Sequence, residues 1–203
     1  MSHPDSRIVD VILAARQVLS NRAVIQDAVG VEASLVLELP IPEPTGTFKP
    51  SRLPVTAFIS QALENGVPET QPLRDALAKA VPVLPWKYNY EPRADLPDLG
   101  LRMAWAEIIG PEAPYVSNQF CFGFTLIAPE SLYPAHFHPA TELYYVLSGT
   151  AQWVLSGTKT RYQSGSFILH PSNAVHAMQT SDEPLLAMYT WSGEDVVTLS
   201  KYA

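Results

Sequence analysis

The 203-residue chain carries 20 acidic against 13 basic side chains, a net charge of -7 at pH 7. That leaves no surplus of positive charge to follow a phosphate backbone or an anionic lipid surface, so neither nucleic acid nor membrane is expected as a partner. A hydrophobic fraction of 47% suffices for a packed core in one large domain, and the single cysteine, Cys121, rules out an intrachain disulfide or a thiolate metal site.

In chain order, Ile8, Val11, Ile12, Ala15, Val18 and Leu19 recur at helical spacing, with Ser6 as the expected N-cap. Pro40-Ile-Pro-Glu-Pro44 is a stiff connection that cannot be helix interior. A second helix is predicted from Pro54 through Phe58, Ile59, Ala62 and Leu63, ending at Gly66. A third follows Thr70, with Pro72 in its first turn, through Leu73, Ala76, Leu77 and Ala80. Pro82, Pro85 and Pro92 mark a transition, so residues 1–97 are read as a helical N-terminal extension and residues 98–203 as a β-domain.

In the second part, short runs read as strand: Met103 to Ile109, Phe120 to Ile127, Glu142 to Leu147, Ala151 to Leu155, Ser166 to Leu169, Val175 to Gln179 and Leu185 to Trp191. Gly149, Ser156-Gly157 and Ser164-Gly165 punctuate them at hairpin-like intervals, a pattern that predicts a sandwich or barrel. Cys121, between Phe120 and Phe122, is expected to be a buried strand thiol. No segment approaches the roughly 20 consecutive apolar residues of a membrane helix, and the start of the chain lacks a secretory-signal pattern, so a cytoplasmic protein is expected.

Four of the five histidines fall in two short windows. The first runs His136-Phe-His138-Pro-Ala-Thr-Glu142-Leu-Tyr144, with Gly149 beyond it; the second runs from Gly165 through His170, Pro171 and Asn173 to His176. Any one of these histidines would ordinarily be structural. His136, His138, Glu142 and His176 together form a set of nitrogen and oxygen donors suited to one divalent transition ion: iron, zinc, manganese or nickel. His136, His138, Glu142 and Tyr144 share parity, which lets them face one interior if the register is unbroken. His170 is expected behind the ligands or at the surface, and His3, in a frayed terminus, is given no role.

These windows resemble the two cupin motifs, His-x-His-x3-Glu-x6-Gly in His136, His138, Glu142 and Gly149, and Gly-x5-Pro-x-Gly-x2-His in Gly165, Pro171 and His176. Three positions depart from the pattern. Glu130 and Asn173 stand where glycines are usual, and Thr180 stands where Asn is usual; Asn is the non-glycine residue most tolerant of positive φ. The resemblance implies a mainly β fold, a single cupin barrel with the helical extension packed on it.

A narrower resemblance lies in Tyr133-Pro-Ala-His136, Glu142-Leu-Tyr144, His176-Ala-Met178 and Tyr189-Thr-Trp191, which look like the bacterial cupin-type dimethylsulfoniopropionate lyases. It implies a metal-dependent β-elimination that yields dimethyl sulfide and acrylate. The resemblance also implies that the metal-adjacent Tyr144 is the base, with Tyr133, which precedes the predicted strand, as the competing candidate or a lid residue. Trp191, Tyr189 and Trp153 are candidates for an aromatic lining around the sulfonium, and Met178 shares parity with His176. The alternatives are a cupin dioxygenase or isomerase acting on another small carboxylate, and a non-catalytic small-molecule-binding cupin. No Lys or Arg lies between Phe120 and Leu155 to anchor a sugar phosphate. A monomer or homodimer is expected.

Overall fold

The computed structural model describes residues 5–44 and 49–203, so His3 lies outside it. Helix α1 (Ser6–Ala23) is capped by Asp5, one residue earlier than expected, because the Asp5 carboxylate accepts from the Arg7 amide. Helix α2 (Ala28–Glu38), capped by Asp27, has no counterpart in the sequence prediction. Its sequence AVGVEASLVLE is apolar around most of the circumference, so no stripe marks the buried side. A 3-10 turn from Pro54 to Phe58 leads into α3 (Ile59–Glu64), and α4 (Gln71–Ala80) follows Thr70 as predicted. A single turn, α5 (Leu99–Arg102), precedes the strands of the barrel.

The strands are β1 (Trp86–Lys87), β2 (Met103–Gly110), β3 (Tyr115–Val116), β4 (Cys121–Ile127), β5 (Leu132–Phe137), β6 (Thr141–Ser148), β7 (Thr150–Leu155), β8 (Thr158–Gln163), β9 (Phe167–His170), β10 (His176–Thr180), β11 (Leu185–Ser192) and β12 (Lys201–Tyr202). Every predicted strand is present to within a residue or two. Among the strands longer than two residues, β5 and β8 have no counterpart in the prediction, for different reasons. β8 (TKTRYQ) is polar along an edge, whereas β5 carries Pro134, a residue that argues against a strand. Pro134 is tolerated because β5 bulges there: Tyr133 pairs with Met178 and His136 with His176, three residues against two.

The strands form two sheets, ordered β1-β2-β4-β11-β6-β9 with β3 beside β2, and β12-β5-β10-β7-β8. All pairings are antiparallel except β2 with β3. In the first sheet Ala106, Phe122, Phe124, Leu143, Leu147 and Met188 pack into a core shared with Ile8, Val11, Ala33, Leu73 and Leu77 of the helices. Their strand neighbours Met103, Cys121, Tyr144, Val146, Ala187 and Tyr189 point the other way, into a second core with Tyr133, Trp153 and Met178 of the opposing sheet. Cys121 is buried as expected; the helix-facing Phe120, Phe122 and Phe124 lie on the opposite face of the strand from it.

The motif turns carry the left-handed backbone expected of them. Gly149 has φ +79, and a Cβ there would lie 2.1 Å from the Pro184 carbonyl oxygen, so only glycine fits. Asn173 takes φ 60 and Glu130 takes φ 51 at the two positions where the cupin motifs usually carry glycine. Among the described residues no helix is long and apolar enough to cross a membrane.

Candidate metal centre

Between the two sheets lies a cavity of about 710 Å³. Its wall includes His136, His138, Glu142, Tyr144, Tyr133, Tyr189 and Trp191, all singled out from sequence, and also Tyr90, Trp105 and the C-terminal segment from Val196 to Tyr202. Trp153 and Met178 do not border it. Both are fully buried in the core behind the wall, which removes them from the expected substrate lining.

The ligand candidates come from three places. Glu142 is on β6 of the first sheet and His176 on β10 of the second, while His138 sits in the short link between β5 and β6. One donor atom from each of His138, Glu142 and His176 lies within 4.8 Å of the others, and all three residues are buried. His136, the fourth expected ligand, stands outside this group. Its ring centre is 4.0 Å from that of His176 but 6.5 Å from that of His138, and Tyr133 stacks on it at 3.9 Å. The four residues of the parity argument do line one cavity, but not as one unbroken strand: the chain leaves β5 before His138 and enters β6 after it, and the bulge turns both Tyr133 and His136 inward.

The hydrogen bonds decide which nitrogens are free. Nδ1 of His138 faces the Ala140 carbonyl at 3.1 Å, and Nδ1 of His176 faces the Ala174 carbonyl at 2.8 Å. A carbonyl can only accept, so each ring carries its proton on Nδ1 and presents a lone pair at Nε2. His136 is held the same way by the Pro134 carbonyl, at 2.8 Å. The Nε2 of His138 then lies 3.1 Å from Glu142 Oε2, and the Nε2 of His176 lies 3.4 Å from the same oxygen with no hydrogen bond of its own. Lone pairs converging on a carboxylate in a buried site need a cation between them, either an extra proton or a metal ion. Two imidazoles and a carboxylate with open space beside them suit a divalent ion that keeps free positions.

The charges follow from this packing. Burial alone would raise the Glu142 pKa, but His138, with His170 and His176, outweighs it and holds the carboxyl well below its usual range. Burial, reinforced by neighbouring His176, holds His136 well below the ordinary histidine value. For Tyr144, burial and then the Glu142 charge push the hydroxyl well above its usual pKa, with a hydrogen bond to Thr125 working the other way. Tyr133 is raised well above its usual value too, first by burial; its hydroxyl is hydrogen-bonded to that of Tyr90. Tyr133 lies within β5, so it is a wall residue and not a lid.

His170, expected behind the ligands or at the surface, is fully buried behind them and contacts Glu142, and Trp153 contacts His170. Other wall residues had no signal in the sequence. Tyr90 comes from a loop with no motif, and β12 seats Tyr202 against His136. The lysines of the wall, Lys87 and Lys201, also lie outside the window searched for a basic anchor; Lys87 pairs with Glu107 at 3.4 Å.

Comparison with known proteins gives one consistent answer. The family model for dimethylsulfoniopropionate lyases matches residues 30–187. The chain is 31% identical over 147 residues to dimethylsulfoniopropionate lyase DddQ of Ruegeria pomeroyi, covering 71% of this chain and 73% of the relative. The crystal structure of DMSP lyase DddQ from Ruegeria pomeroyi DSS-3 superposes with a TM-score of 0.81 at 27% identity, over 98% of both chains. A chain from the crystal structures of DMSP lyases RdDddP and RnDddQII superposes with a TM-score of 0.84 at 25% identity, again over 98% of each.

Proposed function

The chain belongs to the dimethylsulfoniopropionate lyase family, and on that premise we propose that it cleaves dimethylsulfoniopropionate to dimethyl sulfide and acrylate, with Tyr144 as the base. The observation that carries the site assignment is the convergence of His138 Nε2 and His176 Nε2 on the Glu142 carboxylate, at the wall of the cavity that Tyr144 also lines.

His138, Glu142 and His176 would hold a divalent transition ion, with His136 next to them as the fourth candidate ligand. When bound, such an ion supplies Lewis acidity toward the substrate carboxylate and positive charge beside Tyr144. That charge matters, because burial and Glu142 otherwise keep the Tyr144 hydroxyl protonated at neutral pH. With its own proton lost to solvent, Tyr144 Oη, as the phenolate, takes the proton from the carbon next to the carboxylate. The freed pair forms the carbon–carbon double bond while the β-carbon–sulfur bond breaks, and its electrons leave on dimethyl sulfide. Acrylate remains, and the proton resides on Tyr144 until solvent removes it.

The opposite end of the substrate is a sulfonium cation. Tyr90, Trp105 and Trp191 line the same cavity, and a cation over one of these rings would gain roughly 0.5 to 2 kcal/mol. Glu112 adds negative charge to that wall, while Glu107 is paired with Lys87.

The test is gas chromatography for dimethyl sulfide over metal-loaded protein and substrate. Tyr144→Phe is expected to keep its metal and lose about 10²- to 10⁴-fold in turnover, the usual worth of a general base. Full turnover in that variant would move the role to Tyr133.

A further inference from the structure

Glu142 is the one anion in the ligand group, and its Oε2 has to offer a lone pair to the space shared with His138 and His176. A glutamate side chain has three rotatable bonds, and here two neighbours remove that freedom. Trp191 Nε1 donates to Oε1 at 2.8 Å. On the other oxygen, Oε2, sits His170 Nδ1 at 3.0 Å.

The direction of that second bond is fixed from behind. Trp153 Nε1 lies 2.9 Å from His170 Nε2, and an indole N–H can only donate. His170 Nε2 is therefore an acceptor, its proton is on Nδ1, and Nδ1–H points at the carboxylate. Trp153 and His170 are fully buried and Glu142 is 2% exposed, so no water competes for these positions. The backbone sets the spacing: Glu142 and His170 are directly paired across β6 and β9, while Trp153 reaches them from β7 of the other sheet.

We propose that His170, held in one tautomer by Trp153, is the positioning residue that aims Glu142 at the metal. It rests on the assignment of His138, Glu142 and His176 as ligands. A histidine that merely filled the core would leave metal binding unchanged when replaced; one that orients a ligand would not.

The experiment titrates metal-free full-length protein with Co²⁺ alone, following its visible absorption. His170→Phe is expected to bind about 10- to 100-fold more weakly, the range typical for partners that orient metal ligands. His170→Asn, which keeps an N–H near the Nδ1 position, recovers most of that loss. Trp153→Phe frees the tautomer and weakens binding by a smaller factor, with a shifted absorption band. Parental affinity and spectrum in both His170→Phe and Trp153→Phe, with binding lost in His138→Ala, would overturn the role of His170 and leave the ligand assignment standing. Parental binding in His138→Ala removes the ligand assignment, and this inference with it. If His170→Phe proves unfolded by circular dichroism, Trp153→Phe decides alone, and parental behaviour there rejects the proposal.

Discussion

The two sheets obey different burial rules although both are antiparallel. In the seven-stranded sheet β4, β6 and β11 are buried along almost their whole length, because the helices cover one face and the cavity and second core take the other. In the five-stranded sheet, β7 and β10 alternate between buried and more open positions and β8 is exposed nearly throughout, since one face meets solvent. Alternation therefore marks strands with one wet face, and continuous apolar runs mark strands wrapped on both. The candidate metal site takes one residue from each kind of sheet and a third from the link between them. Neither sheet holds enough ligands alone.

The sharpest way to break that comparison is to remove one ligand from each side. His176→Ala in the five-stranded sheet and Glu142→Gln in the seven-stranded one are both expected to lose bound metal and dimethyl sulfide production. Metal analysis of the purified variants checks this, and full metal content in either would mean that one sheet suffices. Next in size is the packing contrast. Phe124→Ala, fully buried against the helices, should cost about 3 to 5 kcal/mol in urea unfolding. Gln152→Ala, exposed on β7, should stay within about 0.5 kcal/mol. Equal losses would contradict the difference between the sheets.

Acid should act on the seam between them. Burial lowers His170 from 6.5 to about 4, and burial together with His176 lowers His136. Between those values the unfolded chain binds more protons than the folded one, so stability of the metal-free protein falls as pH drops from about 6.5 toward 4. Glu142, held low when folded, adds a loss in the same direction at still lower pH. His170 alone corresponds to something on the order of 3 kcal/mol. Denaturation midpoints that stayed flat over that interval would show that these rings do not remain neutral. A smaller gain concerns Glu130, whose φ of 51 is strained for a residue with a Cβ. Glu130→Gly should raise the unfolding free energy slightly, by roughly 1 kcal/mol.

Much of the barrel was legible because short-range patterns mark it. Strands such as β4, β6 and β11 read as apolar runs, and the turns at Gly149 and Asn173 announced their backbone through residue type. The N-terminal part was half legible: α1 and α4 carry stripes, whereas α2 is apolar nearly all round and left no period to read. β5 was hidden by Pro134, and with it the fact that Tyr133 belongs to the wall.

Residue type and spacing by themselves determined the chemistry of the site: imidazoles and a carboxylate in two windows, and a tyrosine two positions beyond the glutamate. Those are local properties, and local sequence carries them. The tertiary structure alone decided which donors converge. The β5 bulge places His136 beside His176, and the pairing of β6 with β9 brings His170 onto Glu142 from 28 residues away. It also turns Trp153 from a supposed pocket wall into the group that fixes His170. The reason is that hydrogen-bond direction and cavity shape depend on strand register across two sheets, and register is a relation between distant segments that no single window contains.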